Sequence, residues 1–272
     1  MTKNILLAGG CSYTDSDFNE SFSVKGLKLN FPKWPDLLAK KLNLQAVNLG
    51  QSGAGNSEIS NTVSKYIIEH HEQIKLICVL WTEWDRYSLF FNAPNSSFHY
   101  MQLDDDNNDN RPYHSINKEF YNIWTRIQSR KGLTEGEGRD LSKENYIFYN
   151  LLMYKNLELL CNHYNIRFKF MQGMRAFDYE HFHPWLTHHK IKSQDLNYFS
   201  FNKWDLELEN FIGWPLVPSQ GNSLPKRGQT LSYVGLNLDE YLVKHKMICH
   251  EQDTHPNKEG HELIAKIFEQ HL

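Results

Sequence analysis

Near one end of the chain a serine follows two glycines and a cysteine, in Gly9-Gly10-Cys11-Ser12-Tyr13-Thr14. Near the other end an aspartate stands two positions before a histidine, in Asp253-Thr254-His255-Pro256-Asn257. A serine hydroxyl is a poor nucleophile until a base takes its proton, and an imidazole does so best when a carboxylate fixes its tautomer and stabilises the imidazolium. Ser12, His255 and Asp253 fill those three roles if the fold joins the two ends. Acyl transfer also needs donors aimed at the developing oxyanion, and backbone amides in a glycine turn supply them without reorganisation. A third segment, Gly50-Gln51-Ser52-Gly53-Ala54-Gly55-Asn56, offers such amides, which makes those of Ser12 and Gly53 the candidate donors. Cys11 is a rival nucleophile, because thiols at helix N-termini are activated; the competing reading is a buried structural cysteine. The Gly50 to Asn56 loop could also cradle a phosphate, but it has no P-loop lysine and its glycine order is not the dinucleotide fingerprint. No cofactor is expected.

These residues require a scaffold that gathers them at one edge. Asn4 to Ala8, Ala46 to Leu49 and Leu76 to Leu80 are short apolar runs that read as buried strands. Between them, Pro35 to Leu42 and Ser57 to Gln73 carry apolar residues at helical spacing, the second with Ile59, Val63, Tyr66, Ile67 and His70 on one face. Strand and helix alternating with short connections predict a parallel sheet covered on both faces. Lys143 to Tyr164 reads as a long helix with Tyr146, Tyr149, Leu152, Met153, Leu157 and Leu160 inward. Ile166 to Met171 reads as a fourth strand, and Pro256 to His271 as a closing helix. The expected fold is a three-layer α/β/α sandwich with a mostly parallel five-stranded sheet in flavodoxin-like order, one domain spanning 1–272. Two stretches, about 87–145 and 172–247, break the rhythm and are expected to be insertions forming a cap or pocket wall. In such sheets ligands bind outside the carboxyl ends of the strands. The serine turn, the Gly53 loop and the segment Trp81-Thr82-Glu83-Trp84-Asp85-Arg86 all lie there.

Composition removes several classes. Of 272 residues, 29 are Lys or Arg and 32 Asp or Glu, a net charge of −3 that leaves no basic excess to neutralise a nucleic acid backbone. No apolar run approaches the roughly 18 to 20 residues of a membrane span, and Met1 to Gly10 is too short for a signal peptide, so a cytoplasmic location away from membranes is expected. Cys11, Cys78, Cys161 and Cys249 are far apart, which suits reduced thiols. His181, His183, His188 and His189 have no cysteine or carboxylate at a recognised metal spacing, and Asp104 to Asp109 lacks the glycine and glutamate of an EF-hand loop, so no metal is expected. Arg86 could pair with Asp85 or an anionic substrate group. The chain is 14% aromatic, and many of these rings fall in the two interrupting stretches.

At GGCSYT, NLGQSGAGN and DTHPN the sequence resembles the SGNH hydrolase (GDSL-like esterase and lipase) superfamily, over about half of the chain. The resemblance implies Ser12 as nucleophile, Gly53 as second-block oxyanion donor and His255 as general base. Three positions depart from it. Cys11 stands where the family has an aspartate, and the third-block asparagine is absent from Trp81-Thr82-Glu83-Trp84. The acid usually lies three positions before the histidine, where Gln252 stands; Asp253 is nearer, with Glu251 in reserve. An ionised Glu83 only accepts hydrogen bonds, so the substitute donor would be the Thr82 hydroxyl or the Asn56 side chain. Loss of one such donor costs roughly a hundredfold to a thousandfold in turnover. The expected activity is hydrolysis of a carboxylic ester, with a short acyl group on a carbohydrate as the suggested small-molecule substrate. The alternatives are a catalytically weakened binding protein of the same fold for a small molecule or glycan, and a nucleotide or flavin protein.

Overall fold

In the computed structural model the described residues are 3–21, 23–82, 137–174, 210–212 and 238–272, with side chains of the helix at 137–163 described from residue 149 onward. Ile5–Gly10 forms β1, and all six of its residues are buried. A strand covered on both faces must be apolar throughout, which is why this run carries no polar alternation. Gln45–Asn48 is β2, Ile74–Trp81 is β3, Arg167–Gln172 is β4 and Phe211–Ile212 is β5. They make one sheet in the order β2-β1-β3-β4-β5, every pair parallel.

Helices cover both faces, giving the three-layer α/β/α sandwich. On one side α2 (Asn56–His70) and α3 (Glu137–His163) set Ile59, Val63, Leu151 and Leu157 against Leu7, Ile77 and Val79 of the sheet. On the other side α1 (Trp34–Leu42), α4 (Leu238–Lys244) and α5 (Lys258–Gln270) set Leu38, Leu242, Ile264 and Phe268 against Leu6, Ala8, Cys78 and Leu80. The two-residue periodicity of β1 and β3 therefore feeds two separate cores. Trp34 and Phe268 stack at 4.7 Å between ring centroids, fastening the first helix to the last.

Several details differ from the sequence reading. The long helix begins at Glu137 rather than Lys143. Its buried stripe is Leu151, Tyr154, Leu157 and Cys161, while Tyr149 is 53% exposed and Leu152, Met153 and Leu160 are only partly covered. Asn150 and Glu158 lie buried beside that stripe, so an apolar count alone misplaced the face. The side chain of Tyr146 lies outside the described residues. The fifth strand, which the sequence reading did not locate, comes from within 172–247 and is too short for any periodicity to show. Pro256 ends a strand instead of opening the last helix, whose N-cap is Asn257, its side chain accepting from the Gly260 amide. Ile248–His250 (β6) and Asp253–Pro256 (β7) pair as an antiparallel hairpin.

Candidate active site

The chain turns sharply where β1 ends. The amides of Thr14 and Asp15 both donate to the Cys11 carbonyl, at 2.8 and 3.1 Å, and this single turn sets Ser12 at the carboxyl edge of the sheet. Gly10 is required there, because a Cβ would lie 2.0 Å from Thr14 Oγ1. Gly50, after β2, is equally constrained, its Cβ falling 2.6 Å from the backbone carbon of Thr14. Asn48 Nδ2 donates to the Thr14 carbonyl at 2.6 Å while its Oδ1 accepts from the Gly50 amide. Asp15 Oδ2 accepts from both the amide and the hydroxyl of Ser52, at 2.8 and 2.6 Å. The serine turn and the Gly53 loop are thus one hydrogen-bonded unit.

The hairpin near the other end brings His255 onto this unit. His255 Nε2 lies 2.8 Å from Ser12 Oγ, and His255 Nδ1 lies 2.5 Å from Asp253 Oδ1. Glu251 is exposed in the turn between β6 and β7, and the carboxylate against the imidazole is that of Asp253. Asp253 is 3% exposed. Burial pushes its carboxyl up, but hydrogen bonds from the Ser21 hydroxyl and from the side chain and amide of His255 outweigh that and hold it below the ordinary carboxylate value. An ionised Asp253 requires Nδ1 to carry the proton, which leaves Nε2 free to accept from Ser12. Phe18 lies 4.3 Å from the imidazole centroid, and Tyr13 donates its hydroxyl to the Thr254 carbonyl at 3.1 Å, so the ring is held from two sides.

Cys11 is packed into the core, with its sulfur 4.0 Å from the Ser12 hydroxyl. It is 1% exposed, within the core shared by Leu38, Met171 and Met174, with its sulfur 3.9 Å from that of Met174. Its place is that of a structural cysteine, and the imidazole faces Ser12.

The Ser12 and Gly53 amides have no protein acceptor among the described residues. Gly53 adopts φ +80°, a left-handed conformation that glycine takes without penalty. Asn56 and Thr82 are both buried and bound to each other: Asn56 Oδ1 accepts from the Thr82 amide at 2.9 Å, and Asn56 Nδ2 donates to the Thr82 carbonyl and to Asn150 Oδ1. The Thr82 hydroxyl donates to the Met174 sulfur at 3.3 Å. Gln172 adds a donor to the Thr82 carbonyl and accepts from Tyr154. This buried polar network joins the end of β3 to α2, α3 and β4, and both amide hydrogens of Asn56 serve it. Glu83 and Arg86 lie outside the described residues, as do the four histidines 181–189 and the acidic stretch 104–109. Among the described residues no cluster of His, Cys, Asp or Glu is arranged to hold a metal ion, and no helix is long and apolar enough to cross a membrane.

The parallel sheet in 2-1-3-4-5 order, with the serine after its first strand and the Asp-His pair before its last helix, fixes the architecture. The fold is a three-layer α/β/α sandwich of flavodoxin-like order. No protein-family model and no curated protein matches the sequence. Among solved structures the chain is similar to a protein assigned to the G-D-S-L lipolytic family from Desulfitobacterium hafniense DCB-2, at 11% identity and a TM-score of 0.43, covering 99% of both chains. It is also similar to a catalytic mutant of an acetylxylan esterase from Geobacillus stearothermophilus, at 11% identity and a TM-score of 0.46, covering 98% of this chain and 93% of that one.

Sequence spacing brought out Ser12, Asp253, His255 and Gly53. It missed Asp15, Asn48, Phe18 and Ser21, each an ordinary loop or strand-end residue whose partner is distant or carries no motif. Beside the serine turn, Asp15, Asp17, Phe18, Asn19, Asn30 and Ser52 line an open cleft of about 380 Å³.

Proposed function

We propose that this protein is a serine hydrolase of the esterase type, working through an acyl-enzyme on Ser12. The observation that supports it most is the continuous chain from Ser12 Oγ through His255 to the buried Asp253 carboxylate. Ser12 Oγ attacks the ester carbonyl carbon as His255 Nε2 takes the hydroxyl proton, and Asp253 stabilises the imidazolium that forms. The carbonyl oxygen becomes an oxyanion facing the Ser12 and Gly53 amides. Collapse of the tetrahedral intermediate breaks the bond to the alcohol oxygen, which leaves with the proton from His255. Water then attacks the acyl-serine, its proton passing to His255, and the carboxylic acid departs as Ser12 regains its proton.

A short acyl group on a polyhydroxylated alcohol such as a carbohydrate suits the neighbouring cleft, where the side chains of Asp17, Asn19 and Asn30 offer polar partners for hydroxyl groups. The test is hydrolysis of 4-nitrophenyl acetate. Ser12→Ala should abolish turnover in a protein that still folds, and undiminished turnover in that variant would overturn the assignment.

A second reading is a binding module that has kept this fold. It is favoured by one observation: Asn56 and Thr82, the side chains the sequence offers in place of the absent third donor, are spent on each other and on their neighbours. That reading predicts a folded wild-type protein with no turnover of the ester.

A further inference from the structure

Asp253 has two carboxylate oxygens, and His255 occupies only one of them. The other, Oδ2, accepts a hydrogen bond from the hydroxyl of Ser21, a residue 232 positions away in sequence. Ser21 is buried, and its oxygen accepts from two amides, those of Ser23 at 3.2 Å and Val24 at 2.9 Å. A serine hydroxyl has two lone pairs and one proton. With both lone pairs engaged, its single proton is directed at Asp253.

We propose that Ser21 is a positioning residue for the hydrolytic site: a fixed one-proton donor that keeps Asp253 ionised and oriented so that His255 presents Nε2 to Ser12. The inference rests on the serine hydrolase reading above. The loop that carries Ser21 is built for rigidity. Ser21 donates its amide to Leu27 O and Leu29 donates to Asn19 O, while Glu20 and Lys28 form both a β-bridge and an ion pair across it. At its root Lys33 is 2% exposed and donates to the carbonyls of Phe18 and Leu29, at 2.8 and 3.1 Å. That lysine clamps the loop at both ends, including Phe18, which packs on the His255 ring.

The titratable groups facing Asp253 are His255 from its own strand and Cys249 from β6. Burial, with the charge of Asp253, pushes the Cys249 thiol up to about 11, so it is neutral at ordinary pH. Lys33 acts on Cys249 and His261. The donor that reaches Oδ2 from the loop is Ser21.

The test is the ¹³C titration of the Asp253 carboxyl, assigned by its loss in Asp253→Asn, alongside kcat and KM for 4-nitrophenyl acetate. In the wild-type protein the carboxyl should titrate below an ordinary aspartate, and in Ser21→Ala its midpoint should rise by about one pH unit as a donor to the charged form is lost. Turnover of Ser21→Ala should fall about tenfold or more in kcat with KM little changed, and Ser21→Thr, which keeps the hydroxyl, should recover most of it. A wild-type midpoint at or above the ordinary value overturns the proposal without any variant needing to fold. An unchanged midpoint and kcat in folded Ser21→Ala overturn it equally. If Ser12→Ala retains turnover, the esterase reading fails by itself, and the carboxyl titration still decides the role of Ser21.

Discussion

At the scale of single residues, the proposed mechanism turns on Asp253, whose charge would select the imidazole tautomer. Asp253→Asn should leave the fold intact and cut kcat by about four orders of magnitude, since an amide can present its N–H to Nδ1 and stabilise the wrong tautomer. The check is single-substrate kinetics at neutral pH beside a circular dichroism spectrum. A second residue governs acid stability. His261 is buried, accepts from the Trp34 amide through Nδ1, and is held down to about 3 by burial, aided by the charge of Lys33 and, when it is protonated, of His255. The unfolded chain takes up that proton near 6.5, whereas the folded protein resists until about 3. Between those limits the unfolded state binds the extra proton, so stability falls as pH falls, with a slope approaching about 1.4 kcal/mol per pH unit. Asp253 adds to this lower down: its depressed value contributes stability above the ordinary 3.8, which is lost as pH drops through the folded value. Urea unfolding at pH 7 and pH 4.5 should show the loss, and His261→Gln should show a clearly shallower dependence.

At the scale of elements, the site depends on two backbones passing within contact distance. Gly50→Ala places a methyl 2.6 Å from the Thr14 backbone, where neither strand end can yield easily. It should cost about 1–3 kcal/mol of stability and reduce turnover in the same variant, because the displaced atoms belong to the serine turn. Gly53→Ala differs in kind, since nothing lies within 4 Å of its Cβ position and the penalty is the left-handed backbone alone, about 1–2 kcal/mol. Thermal melts of the two variants separate clash from strain. The elements also show what a sequence can reveal. Strands buried on both faces announce themselves as apolar runs, so β1 and β3 were legible, and the glycine and serine clusters after β1 and β2 pointed to the site. The inward face of α3 was not legible, because buried Asn150 and Glu158 interrupt the apolar stripe while the exposed Tyr149 imitates it. Ser21 was invisible for a similar reason: one serine in a polar loop has no period, and its meaning comes from a contact 232 residues away.

At the scale of the whole molecule, Ser12 and His255 stand 243 residues apart and meet only because the chain's two ends share one core. The packing of α1 on α5, with Trp34 stacked on Phe268, is the main fastening between them. Phe268→Ala should cost about 3–5 kcal/mol by leaving a cavity in that core, and its loss of activity on warming should track unfolding measured by tryptophan fluorescence. Parallel strands deliver the serine turn and the Gly53 loop to one edge of the sheet, and the separate β6–β7 hairpin carries Asp253 and His255 to that edge from the other end of the chain.

The central claim is that Ser12 is an activated nucleophile, and a fluorophosphonate tests it most directly, because the serine oxygen displaces fluoride only when a base removes its proton. Intact-protein and peptide mass spectrometry should show one adduct per chain, located on Ser12, and none in His255→Ala. A folded wild-type protein that stays unmodified, or that carries its adduct on another residue, would contradict the account.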